Sequence, residues 1–195
     1  MRKAVEDDRV EVGIHPNFFQ PSSHGDTING IIEHVLNLSP RAISVRCHRH
    51  FSDGDIESTL TARGLRIDSN TCCHLKHGIT PIKLATGLLR LPVFFEDDIH
   101  WVQGLPRQFS THEAAFFSSG LKILNFHPFL VALNAPDAEF YLRHKHLISS
   151  LSADDSKLLR YGGLGSATFL IEAITSIQAA GHKFVTLSEM VDSLG

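Results

Sequence analysis

Four short apolar runs in this 195-residue sequence each stop at residues able to hold a metal ion or move a proton. Val10-Glu11-Val12-Gly13-Ile14 runs into His15, and Ala42-Ile43-Ser44-Val45 runs into Arg46 and His48. Leu91-Pro92-Val93-Phe94-Phe95 runs into Glu96, Asp97 and Asp98, and Leu121-Lys122-Ile123-Leu124-Asn125-Phe126 runs into His127. Imidazoles and carboxylates are the ordinary ligands of Zn²⁺ and similar divalent ions, and they also serve as acids and bases near neutral pH. Brought to one place they would make a metallohydrolase. Taken singly, each has a plainer explanation. A strand-end histidine beside proline is often a surface or capping residue, paired Asp is often a turn or helix cap, and Arg46 could simply form a salt bridge. Their shared position is what argues for chemistry.

That position depends on the elements. Short apolar runs alternate with capped amphipathic segments, which predicts an α/β fold of parallel strands and crossover helices, with the strand ends converging on one face. Asp26 or Thr27 can cap a helix carrying Ile28, Ile31, Ile32, Val35 and Leu36, and Ser52 or Asp53 can cap one through Ile56 and Leu60 that ends at Gly64. Leu65-Arg66-Ile67-Asp68 reads as a third strand, 166–180 as a helix, and Lys183-Phe184-Val185-Thr186-Leu187 as a sixth strand. Thr186 and Glu189 have capping-box spacing for a last short helix.

Composition narrows the function classes. Eighteen Lys+Arg against 21 Asp+Glu give a net charge of -3, without a run of five like charges, so nucleic acid and anionic membrane surfaces are not expected partners. No stretch approaches the roughly 20 apolar residues of a membrane span, and Met1 to Asp8 turns acidic where an export signal turns apolar. Cys47, Cys72 and Cys73 are odd in number and partly adjacent, which fits a reducing compartment and a cytoplasmic location. No repeat or linker divides the chain, so residues 1–195 are expected to form a single catalytic domain, with 134–165 as a looser polar excursion. Thirteen histidines are many for such a chain. His74 and His77, beside Cys72 and Cys73, make only half a zinc cluster and read as a loop. His34, His100, His112, His144, His146 and His182 read as exposed polar residues.

The motifs Glu11-Val12-Gly13-Ile14-His15-Pro16-Asn17-Phe18, Arg46-Cys47-His48, Phe95-Glu96-Asp97-Asp98 and Asn125-Phe126-His127-Pro128 resemble the polysaccharide deacetylase (NodB-type) family, most nearly its WbmS-like branch, which is linked to bacterial surface polysaccharides. Residues 181–190 are similar to the ending of that family's catalytic domain. The resemblance implies a distorted (β/α) barrel that removes N- or O-acetyl groups from a carbohydrate with the help of a divalent ion, most simply zinc. It makes His15 a metal ligand, and His48 the second in preference to His24, because His48 sits at a strand end. Arg46 would orient a catalytic carboxylate, Asp97 and Asp98 would supply acid–base groups, and His127 would be the general acid. Trp101 and Asn17 would contact the sugar. The family opens with a strand ending in an Asp pair, which nothing before Val10 supplies, and six strands are fewer than a closed barrel needs. The expectation is therefore an incomplete barrel, truncated at its amino end or degenerate. Two other readings are a carbohydrate-binding module of the same fold that has lost activity, and an amidohydrolase using His48 and His50 as a ligand pair.

Overall fold

A computed structural model describes residues 10–194, so the expectations for Met1 to Asp8 lie outside the described residues. In chain order the elements are α1 (Ile28–Leu38), β1 (Ser44–Val45), a 3₁₀ turn (His48–His50), α2 (Gly54–Ala62), β2 (Ile67–Asp68), β3 (Ile82–Lys83), β4 (Leu89–Arg90), β5 (Val93–Glu96), α3 (Asp97–Val102), a second 3₁₀ turn (Phe109–Thr111), α4 (Glu113–Phe116) and β6 (Ile123–Asn125). Then follow α5 (Pro128–Leu133), α6 (Ala138–His144), a third 3₁₀ turn (Lys145–Leu147), α7 (Ala153–Leu159), α8 (Ser166–Ala179) and α9 (Leu187–Asp192). Among the described residues no helix is long and apolar enough to cross a membrane. The chain divides into two compact units, one of residues 10–72, 80–92 and 184–194 and one of residues 73–79 and 93–183.

In the first unit, β1, β2 and β4 are parallel neighbours, with Ser44 opposite Ile67 and Ile67 opposite Leu89, while β3 pairs antiparallel with β4. The β3–β4 hairpin turns at Gly87, whose φ of 101° suits glycine. Thr27 caps α1 by accepting the Gly30 N–H, and Ile31, Ile32 and Val35 recur at helical spacing on its buried face. Asp53 caps α2 in the same way. Ile32 and Val35 join Ile14, Val45, Ile56, Leu60, Leu65 and Leu88 in one apolar core.

Two expected strands are corrected here. Residues 10–13 do not enter a ladder, and only Ile14 forms a bridge, parallel to Val45. Beyond Ile14 the pairing continues at Pro16 through its carbonyl alone, since proline has no N–H. Residues 183–186 are irregular, because Phe184 and Val185 stay exposed and the Thr186–Glu189 capping box starts α9 at Leu187.

In the second unit, β5 lies parallel to β6, with Val93 opposite Ile123 and Glu96 opposite Asn125. The segment 73–75 follows the other edge of β5, Cys73 N–H donating to Val93 O and Leu75 N–H to Phe94 O. Phenylalanines build the core: Phe95 stacks on Phe169 at 4.6 Å, and Phe116 packs edge-on against Phe94 and Phe109 at 5.1 and 4.9 Å. The polar excursion of residues 134–165 contains α6 and α7 and is tied down by buried Asn134. Asn134 Oδ1 accepts the N–H groups of Ala167 and Thr168 at 3.0 Å each, satisfying the amino end of α8. Its Nδ2 donates to the carbonyls of Tyr161 and Gly163.

Candidate active site

Because β5 and β6 are parallel, their carboxyl ends lie side by side, and the chemistry-bearing residues follow immediately. Asp97 and Asp98 open α3 after Glu96, while His127 precedes Pro128 at the start of α5, where proline loses no hydrogen bond. Asp97 is almost fully buried, and both its oxygens are engaged. Oδ1 accepts His127 Nδ1–H at 2.6 Å and the Asp98 N–H at 3.1 Å, and Oδ2 accepts the His127 backbone N–H at 3.1 Å. The His127 tautomer follows: Nδ1 carries the hydrogen and Nε2 remains for other work. The bond to Asp97 holds His127's proton affinity above the ordinary imidazole value, against the opposing effect of burial. The ring is nevertheless 42 % exposed, so it reaches solvent.

Glu96, Asp98 and His127 each offer one donor atom, and the three atoms lie within 4.8 Å of one another. Asp98 Oδ1 is buried and makes no hydrogen bond. Burial, with the charges of Glu96 and Asp97, raises the Asp98 carboxyl above its usual range, while His127 pulls the other way. Two carboxylates, one imidazole and a buried oxygen without a partner form a donor set suited to a divalent cation. Glu96 was legible only as one of three consecutive acids. Its pairing with Asp98 rather than Asp97 becomes apparent once Asp97 is seen to be occupied by His127.

In the first unit, the ladder from Ile14 to Val45 continues past the strand ends, with Arg46 N–H donating to Ile14 O and His48 N–H to Pro16 O. This sets the His15 and His48 rings 5.8 Å apart, edge to face. Arg49 and His50 follow, both left-handed at φ 55°, a conformation that non-glycine residues hold only under constraint. Arg46 Nη2 donates to Ser69 Oγ at 3.3 Å. Cys47 donates its N–H to Asn70 Oδ1 at 2.6 Å, and burial pushes its thiol up to about 12. Asn70 Nδ2 in turn donates to Asp68, which also binds Arg90. Asp68 closes β2, and Ser69 and Asn70 follow that strand just as the other candidate residues follow theirs. That position was the signal available in the sequence.

The remaining candidates have local partners. Asn17 accepts the Phe19 N–H through Oδ1, and its own N–H donates to His24 Nδ1, so one His24 nitrogen is engaged while that ring stacks on His34. Trp101 lines a small cleft in the second unit with Asp97, Arg107, Phe126 and Phe169. His100 and His112, expected on the surface, are buried, as is His74. Burial, then the neighbouring His100, pushes His74 down to about 4, and burial likewise lowers His100. His74 and His100 bond one another, the Glu96 N–H meets the other His74 nitrogen, and the Pro106 carbonyl accepts from both His100 and His112, which favours burial.

Acids and a carboxylate-held imidazole at parallel strand ends mark an α/β protein with a candidate site on its strand-end loops. The profile of the WbmS-like polysaccharide deacetylases matches residues 1–145, and the chain belongs to that family. A crystal structure of a Bordetella bronchiseptica protein, described as a polysaccharide deacetylase involved in O-antigen biosynthesis, aligns with a TM-score of 0.77 at 25% identity. The alignment covers 89% of this chain and 74% of that one. The fold is thus α/β of the polysaccharide deacetylase type. Among curated proteins no sequence match was found.

Proposed function

We propose that this chain is a metal-assisted deacetylase that hydrolyses N- or O-acetyl groups of a surface polysaccharide or its precursor. The observation that carries the reading is the Asp97-bound His127 standing with Glu96 and Asp98 at the ends of two parallel strands. Family membership and the O-antigen role of the similar Bordetella protein support the substrate class. Glu96, Asp98 and His127 would hold the divalent ion, most simply zinc. Such an ion supplies a polarised acetyl carbonyl and a water acidified toward neutrality. Asp97 accepts from Nδ1 and so leaves Nε2 of His127 as the nitrogen that would meet the ion, the usual outer-carboxylate arrangement of a ligand histidine. Trp101 offers an apolar wall to a sugar or an acetyl methyl.

A second division of labour has its own support. Asp97 raises the proton affinity of His127, which suits a general acid holding a proton at Nε2 for the departing amine or alcohol. On this division His127 would not ligate the ion, and Asp98 would take a proton from water. The test measures acetate release from N- and O-acetylated oligosaccharides, and bound zinc, for the wild type and His127→Ala. Loss of both zinc and turnover supports the first division. Loss of turnover with zinc retained supports the second. A wild type that binds sugar yet releases no acetate from any of them would leave a carbohydrate-binding module.

A further inference from the structure

His74, His100 and His112 are buried in the second unit, and the chemistry above does not use them. Their hydrogen bonds admit one assignment of protons. The Glu96 backbone N–H, which can only donate, meets His74 Nδ1 at 3.3 Å, so that nitrogen carries a lone pair. Neutral His74 therefore bears its proton on Nε2 and donates to His100 Nδ1 at 3.1 Å. His100 then donates from Nε2 to the Pro106 carbonyl at 2.8 Å. Starting from the carbonyl, which can only accept, gives the same answer. His112 donates its Nε2–H to that carbonyl too, at 2.8 Å, from outside the series.

The geometry explains why Glu96 meets a side chain there. The segment 73–75 follows β5 closely enough to bond Val93 and Phe94, and at the next position the His74 ring takes the place of a strand carbonyl. The last residue of β5 is thus anchored through an imidazole whose tautomer is fixed by a second imidazole and a loop carbonyl.

We infer that His74 is a positioning residue. It fixes the Glu96 backbone, and with it the carboxylate that stands with Asp98 and His127, while His100 and Pro106 hold His74 in the accepting tautomer. This rests on the trio as a cation site. Outer-shell partners of this kind change metal affinity by about 10- to 100-fold.

The test titrates cobalt(II) into metal-free wild type, His74→Leu, His74→Gln and His112→Leu, with urea unfolding and amide exchange at Glu96 measured for each. Glutamine carries an acceptor and a donor spaced much as the two imidazole nitrogens are. His74→Leu should weaken cobalt binding about 10-fold or more and speed exchange at Glu96, with His74→Gln recovering most of both. His112→Leu should lower stability while leaving cobalt affinity unchanged. Unchanged affinity in His74→Leu, or an equal loss in His112→Leu, overturns the inference. If His74→Leu does not fold, His100→Phe, which removes the acceptor of His74 Nε2–H, is read in the same way. If the wild type binds cobalt but releases no acetate, the deacetylase reading fails and the inference stands. If the wild type takes up no cobalt, exchange at Glu96 decides: acceleration in His74→Leu sustains the positioning, and no change overturns it.

Discussion

Asp97 grips His127 at two points, accepting the ring Nδ1–H at 2.6 Å and the backbone N–H at 3.1 Å. One buried carboxylate thereby fixes both the tautomer of the imidazole and the start of the helix that follows it. Asp97→Asn keeps the shape but turns one acceptor into a donor and removes the charge. Turnover on an acetylated oligosaccharide is expected to fall by roughly 10²- to 10⁴-fold with little change in KM or circular dichroism. An unchanged rate would take Asp97 out of the machinery.

Stability should depend on pH through the buried imidazoles. An unfolded chain protonates His74 near the ordinary 6.5, whereas the folded chain keeps it neutral down to about 4. Between those values the unfolded state binds more protons, so stability falls as pH falls, and lowered His100 acts in the same direction. The loss is on the order of 3 kcal/mol at most. Raised Asp98 acts oppositely, costing stability as it ionises on rising pH. Urea unfolding of metal-free protein between pH 7 and 4.5 should therefore show a steeper loss in the wild type than in His74→Gln. Parallel profiles would contradict the burial of a neutral imidazole.

Gly165 precedes α8 with extended backbone, so its constraint is one of space. A Cβ at this position would overlap the carbonyl oxygen of Asn134, the residue whose side chain serves the amino end of the same helix. Gly165→Ala should cost about 3 kcal/mol or more by urea unfolding, through overpacking and disturbed Asn134 hydrogen bonds. A loss below about 1 kcal/mol would mean that the Asn134 loop yields easily.

The parts of the site legible in the sequence were those announced by local chemistry. Pro128 after His127 and the acids closing an apolar run gave the ends of β6 and β5, and Asp26 or Thr27, Ser52 or Asp53, and Thr186 marked three helix starts, which Thr27, Asp53 and Thr186 cap. The buried histidines gave no such sign. His100 is concealed by His74, 26 positions away, and by a carbonyl in the following loop, and neither partner leaves a periodic trace. The two-residue strands β3 and β4 are too short to show alternation. Phe184 and Val185 look like a strand by composition, yet a capping box two residues on decides the local structure.

Glu11 accepts Ser44 Oγ through one oxygen at 3.2 Å and the Ser188 N–H through the other at 3.0 Å, joining positions 177 residues apart. Head and tail of the described chain therefore meet at a single side chain. For this unit neighbourhood in space outranks order along the backbone, and a circular permutant closed beside Glu11 would ask little of its linker.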